Sequence, residues 1–127
     1  MSIAHWMVLV AAFLPIVFAG AAKVGGGQFD NSRPREWFER QSGWPKRAHW
    51  AQQNGYEAFP PFAAAVIIAH QVSGPQGMID VFAVLFVALR ILYGLFYIAD
   101  WANLRSLSWL GGALCIVALF LVAAGGG

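Results

Sequence analysis

The stretch RAHWAQQNGYEAFPPF, Arg47 to Phe62, sets Asn54 and Glu57 just ahead of Pro60-Pro61, and an apolar run, Ala63 to Ala69, follows at once. An amide and a carboxylate leading into so apolar a segment are expensive unless they have partners. On a helix turning 100° per residue, Arg47, Trp50, Asn54 and Glu57 fall within an arc of about 80°. Further on, Arg90, Tyr93, Tyr97 and Asp100 repeat the same offsets. Two helices therefore each carry a polar stripe. An Arg or Asp facing lipid costs about 2.5–3.5 kcal/mol even on the most lenient insertion scale. The stripes must face each other, a neighbouring subunit or a wet cavity. Two readings follow: a clasp in which Glu57 pairs with Arg90, or a functional site inside a membrane bundle. The number of converging groups favours the site, because two charges suffice for a clasp.

The elements that position these residues can be read from composition. Of the 127 residues, 59% are hydrophobic and 11% are charged, against about 25% charged in an average globular domain. Four segments hold the apolar weight, and crossing a bilayer takes about 20 helical residues each. The expected architecture is an all-α membrane protein, a single four-helix transmembrane domain. Its helices cover about 3–23, 45–72, 77–101 and 106–124, with a connection over about 24–44. The second segment spans only if its helix begins near Lys46 and its polar residues face protein. Pro15 is expected to kink the first helix, and Pro60-Pro61 to bend the second. Trp37, Phe38 and Trp44 are expected at headgroup level. The first apolar segment precedes its first basic residue, Lys23, the reverse of a cleavable leader, and is read as a retained helix.

Charge position orients the chain. Lys23, Arg33, Arg35, Arg40, Lys46 and Arg47 lie in or beside the first connection, Arg105 lies in the third, and SGPQG in the second is uncharged. Connections one and three are therefore expected in the cytoplasm, with both termini outside. Membrane lipids are then the chain's solvent. Nucleic-acid binding is a poor explanation for basic residues interleaved with Asp30, Glu36 and Glu39. The single Cys115 excludes an intramolecular disulfide. His5 and His70, near the outer face, make a weak two-ligand signal for haem or metal, so no metal site is assigned. No inverted repeat points to transport.

These residues resemble the MAPEG family, the membrane-associated proteins of eicosanoid and glutathione metabolism. Its second-helix pattern runs Arg, six residues, Asn, two residues, Glu, then Pro three on; Arg47, Asn54, Glu57 and Pro60 fit it. Arg90–Tyr97 and the following LRSLSW resemble the prostaglandin-synthase branch, where an Arg-Ser pair opens the fourth helix. The resemblance covers nearly the whole chain. It implies a homotrimer, open to assembly in a larger membrane complex, in a bacterial inner membrane with periplasmic termini. It also implies glutathione as co-substrate, held in a cleft that opens to the cytoplasm. Asn54 and Glu57 would hold the tripeptide, Glu57 receiving its amino group, while Arg90, Tyr93 and Tyr97 line the site. Lys23 or Arg47 would meet its carboxylates. Arg105 would stabilise the thiolate, with Ser106 as an alternative donor. Trp50, Ala58 and Trp109 stand where well-known members carry Arg, an aromatic residue and Tyr, and the Tyr97–Arg105 interval is about one residue off. The activity implied is a glutathione-dependent transferase or peroxidase for a lipophilic electrophile or lipid peroxide. The alternative is an inactive accessory or scaffold subunit.

Overall fold

A computed structural model of the chain describes residues 1–126. Four long helices and one short helix make up the fold: α1 Ile3–Gly25, α2 Pro34–Glu39, α3 Gly43–Gln71, α4 Gln76–Ala99 and α5 Ala102–Gly126. Pairings along their lengths fix their directions. His70 reaches Ser2, Pro15 meets Gly55, Phe62 stacks on Phe86, and Phe86 faces Gly112. Consecutive long helices are thus antiparallel, and α1 runs alongside α4 in the same sense.

By length and apolarity α1, α4 and α5 qualify as membrane spans, with mean hydropathy of 2.2, 2.3 and 2.3. The expected fourth span, α3, does not qualify on apolarity because its first half holds Lys46, Arg47, Asn54 and Glu57. Its 29 residues would nevertheless extend about 43 Å, more than a hydrocarbon core. Phe13, Val17, Val81, Leu95, Leu107 and Leu121 are all more than half exposed on the outer surface of the bundle, as befits helices whose solvent is lipid.

The main core joins Phe62, Val66, Ile79, Phe86 and Leu119, and Phe62 and Phe86 stack at 4.0 Å between centroids. Cys115 is buried in it. Pro15 does not break α1; its buried ring seats against Gly55, where an added Cβ would lie 2.8 Å from Pro15 Cγ. At the far end the Ser2 hydroxyl bridges His5 Nδ1 (2.9 Å) and His70 Nε2 (3.0 Å), and Ala4 N–H donates to Asp80 Oδ1 at 3.0 Å. His70 Nδ1 meets Val66 O at 2.8 Å, so both its ring nitrogens are engaged. Among the described residues no group of three or more His, Cys, Asp or Glu is placed to hold a metal.

The connection between α1 and α3 carries the short helix α2 and is packed against its neighbours. Trp37 and Phe38 are 2% and 8% exposed and pack with Ala19, Ala22 and Ala48, whereas Trp44 stays partly open. The reason is local. Pro34 opens α2, Trp37 Nε1 donates to Gln28 O at 2.8 Å, and Lys46 Nζ donates to Phe38 O and Glu39 O at 3.0 and 3.1 Å. These contacts fold the connection back onto α1 and α3. Ahead of α2, the Ser32 N–H and hydroxyl both donate to Asp30 Oδ1 and hold its carboxyl below the usual carboxylate range. Gly43 takes φ +63°, the left-handed value that glycine adopts without a Cβ clash, and this turns the chain into α3. Lys46→Met removes the two ammonium caps on α2. The expected outcome is faster amide exchange at Glu39–Ser42 with a loss of about 1–2 kcal/mol in local protection. Unchanged exchange would show that α2 is held by its aromatic residues alone.

Candidate functional site

The turn between α4 and α5 decides where the chemistry converges. α4 ends at Ala99, and Asp100 takes φ 64°, a left-handed conformation that Asp tolerates better than most residues. Its N–H bonds back to Tyr97 O at 3.1 Å, and Trp101 N–H bonds to Phe96 O at 2.9 Å. α5 then starts at Ala102, four residues before the expected start at about 106. Arg105 and Ser106 consequently lie inside its first turns, and Arg105, Trp109, Gly112 and Ile116 follow one another at helical spacing. The expected stripe on α4 thus loses Asp100 to the turn and gains Arg105 from the next helix.

Three adjoining cavities run between α3, α4 and α5. One of about 320 Å³ is lined by Trp50, Gln53, Asn54, Glu57, Tyr93 and Tyr97. A second, of about 240 Å³, is lined by Tyr93, Tyr97, Arg105, Ser106 and Trp109. The third, of about 300 Å³, has Asn54, Glu57 and Arg90 on its polar side and Pro61, Phe86 and Ile116 on its apolar side. Shared wall residues make the three neighbours. Tyr93 and Tyr97 belong to the first two, Asn54 and Glu57 to the first and third, Trp109 to the second and third. Because the helices are antiparallel, the same axial order appears on each. It runs 50, 54, 57, 61 on α3; 97, 93, 90, 86 on α4; and 105, 109, 112, 116 on α5.

At the centre, Tyr93 and Tyr97 meet edge to face with centroids 5.6 Å apart. A guanidinium stands at each end of the pair: Arg90 Cζ lies 4.2 Å from the Tyr93 centroid and Arg105 Cζ lies 4.5 Å from the Tyr97 centroid. Glu57 is exposed into the cleft. It forms no ion pair, since the single salt bridge among the described residues is the surface pair Arg33–Glu36. The clasp between Glu57 and Arg90 is therefore not formed. Asn54 Oδ1 is buried without a hydrogen-bond partner, the one such side-chain atom among the described residues. An unmet buried acceptor costs about 1–3 kcal/mol, so this atom is poised to accept from a donor. The prolines add to the acceptor count: Pro61 has no N–H, which leaves the Glu57 carbonyl without its helical donor.

Of the residues singled out in the sequence, Asn54, Glu57, Tyr93, Tyr97, Arg105 and Ser106 come together. Arg90 lies one turn deeper, buried at 5% exposure, and lines the third cavity but neither of the other two. Arg47 does not join the cleft. Its Nε and Nη2 both donate to Ile98 O, at 3.1 and 3.0 Å, and so cap the carboxyl end of α4, where a cation is favoured by the helix dipole. Lys23 sits over the Phe29 ring at 4.2 Å and lines none of the three cavities. Gln53 and Gly112 are additional wall residues. Gln53 lies three residues beyond Trp50 and about 40° outside the arc of the α3 stripe, whereas Gly112 has no polar atom in its side chain to mark it.

An all-helical bundle with three apolar spans, apolar outer faces and a polar cleft between its helices has the character of an integral membrane protein, with the cleft as its candidate site. The MAPEG family model matches residues 3–125, and the chain belongs to that family. Among curated proteins no significant match is found.

Proposed function

We propose that the protein is a glutathione-dependent membrane transferase or peroxidase acting on a lipophilic electrophile or lipid peroxide. The observation that carries this reading is the unmet pair of acceptors, Asn54 Oδ1 and the Glu57 carboxylate, one cavity wall away from Arg105. Glutathione offers the complementary groups: an ammonium for Glu57, amide N–H donors for Asn54, and a thiol for the Arg105 guanidinium. A free thiol with a pKa near 8.5 is mostly protonated at neutral pH, and an adjacent cation favours its reactive anion. In a conjugation the thiolate sulfur bonds to an electrophilic carbon as a leaving group departs with its electron pair. With a peroxide the sulfur takes one oxygen, the O–O bond breaks, and water protonates the alkoxide. A second glutathione thiol then converts the sulfenic acid to the disulfide and water.

The exposed face of α3 supports a homotrimer. Trp50, Gln53 and Glu57 lead along that face to Pro60, Pro61, Ala64 and Ile67. Its polar part cannot lie against lipid at acceptable cost, and a second copy would cover it. The family places such a protein in a membrane, and the basic first connection favours a cytoplasmic opening. The competing reading, an inactive accessory subunit, draws support from Trp50, which stands at the cleft mouth 6.1 Å from Tyr97.

Titration of the purified protein with glutathione separates the two. Saturable heat at or below millimolar glutathione is expected, and its absence would leave the accessory reading. Arg105→Ala should keep binding within about threefold but raise the bound thiol pKa by one unit or more, about 1.4 kcal/mol per unit. Ultraviolet thiolate absorbance against pH reads this directly. A loss on Ser106→Ala instead would transfer the role to the hydroxyl.

A further inference from the structure

The third cavity changes character along its length. Its cleft end has Asn54, Glu57 and Arg90; its inner end, about one helical turn further into the bundle, has Pro61, Phe86 and Ile116. Small residues open the space. Ala58, Gly112 and Ala113 line it, and a Cβ added to Gly112 would make only ordinary contacts, with the Phe86 ring at 3.6 Å and Arg90 Cδ at 3.8 Å. Arg90 is the unusual wall. As a residue it is only 5% exposed, and its guanidinium makes no ion pair among the described residues; its nitrogens are not among the buried atoms left without a partner, so they open onto the cavity they line. A cation facing a confined cavity without an anion or acceptor of its own favours a ligand that brings one. Its Cζ lies 4.2 Å from the centroid of the Tyr93 ring.

The axial order gives this orphan cation a chemical sense. Starting at Arg105 and moving inward, a bound molecule would pass the tyrosine pair, then Arg90, then the apolar end. We infer that Arg90 and the chamber behind it form the acceptor subsite for α,β-unsaturated ketones whose alkyl tail lies on the carbonyl side. The inference rests on the glutathione reading above and names its electrophile. The thiolate sulfur bonds to the β-carbon; the alkene pair moves to form the enolate C=C, and the carbonyl pair moves onto oxygen. The Arg90 guanidinium holds that oxyanion. Water then protonates the α-carbon, so the sum is addition of the thiol across the double bond. The tail beyond the carbonyl runs between Ala58 and Gly112 toward Phe86. A 2-alkenal, whose tail leaves from the attacked carbon, cannot place its oxygen at Arg90 and its tail in the chamber at once.

The experiment uses the full chain in nanodiscs, saturated with glutathione, and a series of 1-alken-3-ones of increasing tail length. Iodomethane is the reference electrophile, because iodide leaves and no oxygen acquires charge. In the wild type kcat/KM should rise about fourfold per added methylene, from about 0.8 kcal/mol per buried CH₂, until the chamber is full. The ratio of enone to iodomethane kcat should fall about tenfold or more in Arg90→Gln, as when one oxyanion donor is lost, and recover in part in Arg90→Lys. Ala113→Leu should lower the ratio of long-tail to short-tail kcat/KM, and this decides the matter should Arg90→Gln fail to fold. Rates independent of tail length, or an enone-to-iodomethane ratio unmoved in Arg90→Gln, would overturn the assignment. Absence of both glutathione binding and iodomethane turnover in the wild type would instead overturn the glutathione reading, and this subsite with it.

Discussion

Replacing Glu57 with alanine should weaken the proposed glutathione binding by about thirtyfold or more while leaving the bundle folded. The magnitude follows from the environment. Removing one member of a close charge pair in a partly dry site costs about 2–5 kcal/mol, and 1.4 kcal/mol is tenfold in affinity. Folding is spared because Glu57 is exposed and makes no ion pair that its loss would break. Glu57→Gln keeps the shape and the acceptor oxygen but not the charge, so it should fall between the two. Calorimetric titration of the three proteins reads the order directly. Equal affinity in all three would mean that the ammonium of the tripeptide does not lie at Glu57, and the orientation given above would have to be reversed. The same titration on Arg33→Ala provides a control, since that charge belongs to a surface pair with Glu36.

The part of this site that could be read in the sequence is the part governed by periodicity and by the cost of polarity in a membrane. Asn54 and Glu57, and Tyr93 and Tyr97, lie three or four residues apart, so helical geometry alone stacks each pair on one face. What the helix period could not show is how a turn resets the phase between helices. Arg105 seemed about one residue out of register, yet Asp100 in a left-handed conformation lets α5 begin at Ala102 and carries the guanidinium onto Tyr97. Arg47 failed in the opposite way. It shares the stripe, but the last carbonyls of α4 lie closer to it than the cleft and claim its donors. The inward packing of Trp37 and Phe38 was not legible, because sequence shows amphipathic bulk and not the neighbours that cover it. Lys46, eight residues beyond Phe38, caps α2 and helps turn both rings inward. The chamber behind Arg90 was least legible, since Ala58, Gly112 and Ala113 define it by what they lack.

The tyrosine pair depends in turn on a contact far from any polar group. Phe18 of α1, 7% exposed, packs against Gly94 of α4, next to buried Tyr93 and in the same small cluster. A Cβ built on Gly94 would fall within the edge of the Phe18 ring, meeting its Cζ, Cε1 and Cε2. Gly94→Leu must therefore push α1 away from α4 or drive Phe18 off its rotamer, and overpacking of this kind costs about 1–3 kcal/mol. The expected result is a fall in unfolding temperature of up to about 10 °C. A weaker glutathione titration should accompany it, because Tyr93 moves with the backbone beside it. Phe18→Ala alone should also destabilise, by about 3–5 kcal/mol, through the cavity it leaves. The decisive measurement is the double variant. If the ring and the glycine notch form one contact, Gly94→Leu should fill part of the space left by Phe18→Ala, and the pair should lose less stability than the sum of the singles by about 1 kcal/mol or more. Strict additivity would mean that the two residues act separately, and that α1 does not hold Tyr93 in place through this notch.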